Sequence, residues 1–256
     1  MKAKIIFLIV IIMLLTACTN TMKNDSGSNS IKGDNEIAKS IDLYFTPVER
    51  TPLKEGLPEG DWIIGRSIYF GELPGQIEST LHLYVDSNED TGRKPGDGII
   101  YGFLEHGDKL YELGDVGSFG FKDLDVQLED RTFDGIKEIN ITGGIGATYV
   151  EMKVITYNED SNEWENLLTM GSPVIADLDR DGREELIAGS RGSVPSFVHI
   201  YRWNDNCFER ADVCEATGNL YAFADIINGE WIIKTGVQGS EPTSYRYEAG
   251  KLIEFK

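Results

Sequence analysis

Residues 177–185 read Asp177-Leu-Asp179-Arg-Asp181-Gly182-Arg-Glu-Glu185, and no other stretch says as much about the fold. Side chains that carry oxygen recur at every second position, and a glycine follows the third of them. A hard cation such as calcium takes roughly six to eight oxygen ligands at about 2.3–2.6 Å, which alternating carboxylates in a tight loop can supply. The twelfth position is not acidic, so the loop does not match an EF-hand. Apolar segments on both sides predict short buried strands. The sequence therefore predicts a calcium-type loop in a β-protein.

The Asp-Gly turn of this loop recurs at a spacing of 47 residues, as Asp134-Gly135, Asp181-Gly182 and Asn228-Gly229. After each turn come a short apolar stretch, a turn rich in glycine or serine, and a strand rich in β-branched and aromatic residues. This gives about four short strands in each period, without helical periodicity. A period of about 40–50 residues with this content predicts propeller blades, whose sheets bury their faces against neighbouring sheets.

Upstream the pattern continues with shorter intervals. Gly60-Asp-Trp62 is close to Gly229-Glu-Trp231, which predicts a core position for both tryptophans, and Asp97-Gly98 lies between Gly60 and the 47-residue repeats. We therefore expect an all-β fold, a β-propeller-like array of about five short four-stranded blades. The alternative is a partial propeller in which residues 40–120 form a small N-terminal β-sandwich.

The two ends of the folded region are expected to pair. Leu43–Phe45 and the C-terminal strand Leu252–Phe255 both have strand character. Pairing between them would close a ring and remove sheet edges that invite aggregation.

Residues 1–17 predict an export signal, because Lys2 and Lys4 precede an uninterrupted apolar run at 5–15. Such a run is too short to span a bilayer and suits a signal peptide. Leu15-Thr16-Ala17-Cys18 resembles the bacterial lipobox, which implies cleavage before Cys18 and lipid on its sulfur. Two or three acyl chains, at about 0.8 kcal/mol per buried methylene, hold a protein on a membrane stably. The alternative is an ordinary signal with an incidental cysteine.

Residues 18–39 are mostly small and polar and predict a flexible tether. The remainder divides into an N-terminal β region at 40–120 and the repeats at 121–256, which together can bury a substantial core. We expect a monomer on the extracytoplasmic face of a bacterial cell membrane, attached through its N-terminal lipid.

The chain carries 43 acidic against 24 basic residues, a net charge of −19. Such a charge repels nucleic acid and anionic membrane surfaces and suits an exported domain that binds cations, although most of these carboxylates can simply serve solvation. Cys207 and Cys214 lie in a compartment that permits disulfides. Both alternatives stay open for them, a bridge across an intervening turn or two unpaired thiols.

The 177–185 loop and its recurrence resemble the FG-GAP/VCBS repeat proteins, which include the integrin α-chain propellers. The resemblance covers residues 121–256 and extends weakly to 40–120. It implies that calcium is held by side chains at loop positions one, three, five and nine and by the carbonyl at position seven. These ligands would be Asp177, Asp179, Asp181, Glu185 and the carbonyl of Arg183.

The other repeats depart from this ligand pattern. The loop at 130–138 keeps Asp130, Asp134 and Glu138 but has Thr132 at the third position, so its site is expected to be weaker or empty. The next repeat has Ala224 and Ile226 at the first two ligand positions and should be a plain turn.

A separate candidate cation site follows the alternating strand at 81–85. It consists of Asp86, Asn88 and Asp90. Aspartate and asparagine are also the residues that ordinary turns use.

No catalytic or cofactor-binding residue is predicted. The three histidines have no ligand spacing, and the chain lacks a nucleophile elbow, a phosphate loop and a dinucleotide fingerprint. The function that fits best is a lipid-anchored, calcium-stabilised cell-surface module that binds a protein or a polysaccharide and is not an enzyme. The alternatives are a surface glycan-active hydrolase that uses carboxylates in a propeller cleft and a structural lipoprotein without a diffusible ligand.

Overall fold

The computed structural model describes residues 39–73, 77–87, 97–190 and 195–255. Cys18, Asn88 and Asp90 lie outside the described residues. Within them the fold is all-β, as expected, with strands arranged in four antiparallel five-stranded sheets. The exceptions are a 3-10 turn at Gly120–Asp123 and one short helix, α1, at Val213–Thr217. No helix in the described part of the chain is long and apolar enough to cross a membrane.

Each sheet is built mainly from four strands that follow one another along the chain. The first sheet contains β5 (Trp62–Leu73), β6 (Ile77–Asp86), β7 (Ile100–His106) and β8 (Lys109–Gly117). The second contains β9 (Leu124–Glu129), β10 (Glu138–Gly144), β11 (Val150–Asn158) and β12 (Glu163–Gly171). The third contains β13 (Pro173–Ala176), β14 (Glu185–Gly189), β15 (Val198–Asn204) and β16 (Cys207–Asp212). The fourth contains β17 (Tyr221–Ile227), β18 (Glu230–Gly236), β19 (Thr243–Glu248) and β20 (Lys251–Phe255).

The fifth strand of every sheet comes from one N-terminal segment, residues 40–55, which we call the strap. Its strands are β1 (Ser40–Asp42), β2 (Thr46–Pro47), β3 (Thr51–Pro52) and β4 (Lys54–Glu55). They pair in turn with β20, β16, β12 and β8, the last strand of the fourth, third, second and first sheet. The strap therefore ties all four sheets together along their last strands.

The strap includes the expected pairing of the two chain ends. Ile41 lies opposite Leu252, and the N–H of Leu43 donates to the carbonyl of Gly250 at 3.0 Å. The pairing thus involves residues 40–42, three positions earlier than expected. Among the described strands no sheet closes on itself.

The sequence predicted about five four-stranded units, whereas the described strands form four five-stranded sheets. Two upstream turn signals belong to one sheet, and the strap adds a fifth strand to every sheet. Gly60 lies just before the first strand of the first sheet, and Asp97-Gly98 lies between its second and third strands. Trp62 and Trp231 do not occupy equivalent positions, although the sequence around them is similar. Trp62 begins the first strand of its sheet, whereas Trp231 lies in the second strand of its sheet. Residues 40–120 form the first sheet and also supply one edge strand to each of the other three sheets. They are therefore not a separate N-terminal β-sandwich.

Neighbouring sheets share hydrophobic cores. One core includes Leu83 and Trp164 from the first and second sheets. A second joins Met152 to Leu186, from the second and third sheets, and a third joins the third sheet to the fourth. The inner sheets are therefore covered on both faces, which explains why β10 is buried along nearly its whole length. Strand β6 in the first sheet instead alternates between buried and half-buried residues, as a strand covered on one face does.

Candidate cation-binding loops

The three turn signals lie at the same corner of their sheets. Each joins the first strand of a sheet to the second: Asp134-Gly135 between β9 and β10, Asp181-Gly182 between β13 and β14, and Asn228-Gly229 between β17 and β18. The three glycines have φ angles of 88°, 90° and 80°, a region that only glycine adopts readily. The 47-residue repeat in the sequence is therefore a repeat in the structure.

The 177–185 loop is held by hydrogen bonds from its own backbone to its own carboxylates. The two oxygens of Asp177 accept the N–H groups of Asp181 and Gly182 at 3.1 and 3.0 Å. Asp181 Oδ1 accepts the N–H of Arg183 at 2.7 Å. One oxygen from each of Asp177, Asp179 and Asp181 lies within 4.8 Å of the other two. The loop therefore brings the first three predicted ligands together.

The loop at 130–138 repeats this geometry. Asp130 Oδ2 accepts the N–H of Gly135 at 2.9 Å, and Asp134 Oδ1 accepts the N–H of Ile136 at 2.7 Å. Oxygens of Asp130, Asp134 and Glu138 also lie within 4.8 Å of one another. The hydroxyl of Thr132, at the third ligand position, donates to Glu138 at 3.1 Å. Three carboxylates thus converge here too, although the threonine had suggested a weaker or empty site.

Each loop ends on a buried glutamate, Glu138 or Glu185, of which 1% and 6% is exposed. Each accepts the N–H of the residue seven positions earlier, from Arg131 at 2.6 Å and from Leu178 at 2.9 Å. Burial raises the pKa of both carboxyls from 4.5 to about 7, and the neighbouring aspartates add to the rise. A cation in either loop would favour the charged form and so lower these pKa values.

The basic side chains of the 177–185 loop contact groups that lie outside it. Arg180 donates to Glu230 at 3.2 Å. The guanidinium of Arg183 lies 5.6 Å from the ring centre of Phe133, while its carbonyl, the predicted backbone ligand, stays in the loop. Neither of these two contacts is made to a carboxylate of the loop itself.

Contacts between sheets link the two acidic loops to each other and to the fourth sheet. Arg131 forms ion pairs with Glu129 of its own sheet and Glu184 of the 177–185 loop. Asp179 Oδ2 accepts the N–H of Ala249, in the turn between β19 and β20, at 2.8 Å. A cavity of about 440 Å³ lies beside this contact, lined by the 177–181 segment and by residues of the fourth sheet. Both loops thus lie where sheets meet.

The remaining site residues are placed as follows. Asp86 ends β6, and its two predicted partners lie outside the described residues. Ala224 lies inside β17 and Asn228 forms the following turn with a φ of 55°. Cys207 and Cys214 are both free thiols, so the disulfide alternative is not the one present.

Comparison of this chain with protein-family models, with curated proteins and with solved structures gave no match.

Proposed function

We propose that this protein is a calcium-stabilised binding module of the bacterial cell surface, with a propeller-like arrangement of four sheets and a lipid anchor on Cys18. It is not an enzyme in this proposal. Its inter-sheet clefts and loops would bind a polysaccharide or a protein, and the metal would have a structural role. The FG-GAP/VCBS resemblance is part of the same proposal.

The observation that carries the proposal is the repeated acidic loop at equivalent corners of the second and third sheets. Three carboxylates held this close together repel one another, and a cation between them would remove that repulsion. The donor set is made of carboxylate and carbonyl oxygens, which suits a hard cation such as calcium. Asp130 Oδ1 supports this fit, because it is buried without a hydrogen-bond partner.

The propeller-like arrangement is supported by the shared cores. Each sheet packs on the next one along the chain, and the strap joins the first and last sheets to the two between them. Sheets that can bury their faces only against neighbours are typical of propeller blades. Such a frame presents its loops and its inter-sheet clefts to solvent, which suits binding more than buried chemistry.

Calcium-dependent melting tests the proposal. Calcium sites of extracellular modules have dissociation constants of about 10⁻⁴–10⁻³ M, and at ten times that concentration one site adds about 1.4 kcal/mol to the free energy of unfolding. For a domain of this size we expect the melting temperature to rise by about 3–6 °C between chelator and saturating calcium.

The variant Asp179→Ala separates the metal site from ordinary stability. It loses the hydrogen bond to Ala249 and should melt lower even in chelator. The decisive quantity is the rise in melting temperature caused by calcium, which should lose the share that comes from the 177–185 site and keep any share that comes from the loop at 130–138. Asp160→Ala, in an exposed turn after β11, is the matched control and should keep the full rise. A wild-type protein that melts identically in chelator and in calcium would refute the calcium site.

A further inference from the structure

A second cavity, of about 280 Å³, lies between the second and third sheets, and no predicted site residue lines it. Its walls come from the turn between β10 and β11, the junction of β12 with β13, and the adjacent ends of β14 and β15. We call it the aromatic cleft, because Tyr149, Phe197, His199 and Tyr201 line it together with small residues.

Tyr149 forms a fixed platform on one side of the aromatic cleft. Its carbonyl accepts the N–H groups of Ile145 and Gly146 at 2.9 and 3.1 Å, so its backbone is held in the turn. Its ring lies directly on Gly171, where an added Cβ would come within 2.4 Å of a ring carbon. Tyr149 is nevertheless 44% exposed. One face of the ring is thus supported by backbone and the remainder is open to solvent.

Phe197 forms a similar fixed surface from the third sheet. Its backbone exchanges two hydrogen bonds with Ser190, one to the serine hydroxyl at 3.1 Å and one from the serine N–H at 3.3 Å. Its ring centre lies 4.7 Å from that of His199, and 36% of the residue is exposed. Two aromatic side chains are therefore exposed at one cleft although the backbone holds each of them in place.

The polar groups of the aromatic cleft are neutral. The Ser190 hydroxyl accepts a hydrogen bond from Phe197 and keeps its own proton for a ligand. His199 Nε2 lies 3.2 Å from Asp212 Oδ2, which favours a proton on Nε2 and leaves Nδ1 as an acceptor. Burial lowers the pKa of His199, so this side chain is uncharged at neutral pH. Thr148 and Ser172 add two further hydroxyl groups to the lining.

These features together select one class of ligand. The chain carries a net charge of −19, and the described residues that line the cleft include no lysine or arginine to attract an anion. A purely apolar ligand would leave the hydroxyl groups of the lining without partners. A neutral sugar ring offers an apolar face for an aromatic platform and hydroxyl groups for serine, threonine and histidine. The volume lies just below the range of about 300–1,000 Å³ that holds drug-sized ligands, so the cleft suits one sugar unit.

We propose that the aromatic cleft binds a neutral pyranose unit of an oligosaccharide, stacked on Tyr149 or Phe197. This inference rests on the proposed function and narrows it, because it favours a polysaccharide over a protein as the ligand.

Calorimetric titration with cellotetraose, maltotetraose and chitotetraose tests the proposal, with tetragalacturonate as the anionic comparison. We expect at least one neutral oligosaccharide to bind with a dissociation constant of about 1 mM or tighter. Tyr149→Ala and Phe197→Ala should each weaken that binding about tenfold. Phe223→Ala removes an equally exposed aromatic ring from the fourth sheet and should leave the affinity unchanged.

Gly171→Ala provides a sharper test of the platform. It keeps every aromatic ring but forces Tyr149 off its support, so it should weaken binding as Tyr149→Ala does. The proposal is overturned if no neutral oligosaccharide binds at about 10 mM, if tetragalacturonate binds best, or if the two aromatic variants bind as the wild type does. Calcium-dependent melting is measured on the same samples. A normal calcium response without sugar binding would overturn the sugar site alone, and a missing response would overturn the calcium proposal.

Discussion

Replacing Glu185 by glutamine should make the calcium-free protein more stable at pH 8, although it removes a proposed calcium ligand. Glu185 is 6% exposed, and burial raises its pKa from 4.5 to about 7. At pH 8 the carboxylate is charged in both the folded and the unfolded chain, but only the folded chain holds it in a poorly solvated place. Glutamine has the same shape and no charge, and its carbonyl can still accept the N–H of Leu178.

The size of the effect follows from the two pKa values. Each pH unit between 4.5 and about 7 corresponds to about 1.4 kcal/mol, so the charge lowers the free energy of unfolding by about 3 kcal/mol. This cost is absent below pH 4.5, grows as the pH rises, and is complete above pH 7. Glutamine introduces an NH₂ group whose incomplete hydrogen bonding costs about 1–2 kcal/mol. The expected net gain of Glu185→Gln at pH 8 in chelator is therefore about 1–2 kcal/mol.

Urea unfolding followed by the fluorescence of the buried Trp164 measures this gain. In chelator the variant should be more stable than the wild type at pH 8 and should lose that advantage at pH 5, where the wild-type carboxyl is protonated. Saturating calcium should stabilise the wild type more than the variant, which lacks one proposed ligand of the 177–185 site. Glu209→Gln is the control, and it should lower the free energy of unfolding at both pH values. The Glu209 carboxylate accepts two hydrogen bonds from Arg202, and the variant loses this charged partner. If Glu185→Gln is less stable than the wild type at both pH values in chelator, the assigned burial cost is wrong.

Three further predictions concern the frame and the anchor. Leu43→Ala, in the strap, should lower the free energy of unfolding by about 2–3 kcal/mol because Leu43 is buried. Tyr44→Ala, next to it and 82% exposed, should change it by less than about 0.5 kcal/mol in the same urea titration. Gly143→Ala should abolish cooperative unfolding seen by calorimetry, since its Cβ would lie 1.8 Å from a carbonyl oxygen of the first sheet, whereas Gly146→Ala should be tolerated. Cys18→Ser should move the protein from the membrane fraction to the soluble fraction and remove the lipid mass from its N-terminal peptide.

The corner loops could be predicted from the sequence because their geometry is local. Nine residues supply the carboxylates, the hydrogen bonds that turn them inward, and the glycine with a φ of 90°. The 47-residue period then placed the same corner in three sheets. The loop at 130–138 also brings three carboxylates together, and its buried Glu138 takes the place that Glu185 has in the other loop.

The strap strands β2, β3 and β4 could not be predicted, because nothing near them in the sequence determines their pairing. The strands β2, β3 and β4 are two residues long, are exposed, and include two prolines. They carry no apolar alternation, and Thr46 pairs with Arg210, 164 residues away. The same limit applies to the aromatic cleft, since Tyr149 and Phe197 belong to different sheets and each looks like an ordinary aromatic residue beside a turn. Local sequence patterns therefore predict the turns within a sheet, but they do not predict contacts between residues of different sheets.

The cation loop and the aromatic cleft lie at opposite ends of one short hairpin. Strand β14 begins at Glu185, which closes the loop, and ends at Gly189, which lines the cleft, a span of about 14 Å. Its partner β13 has only four residues, lies at the edge of its sheet, and is at most half-buried, so it gains little stability from the core. A cation that ordered the loop would therefore also order β13 and, with it, Ser172 at the wall of the cleft. Since coupling between two binding sites is reciprocal, a sugar in the proposed cleft site would then strengthen calcium binding by the same factor by which calcium strengthened sugar binding.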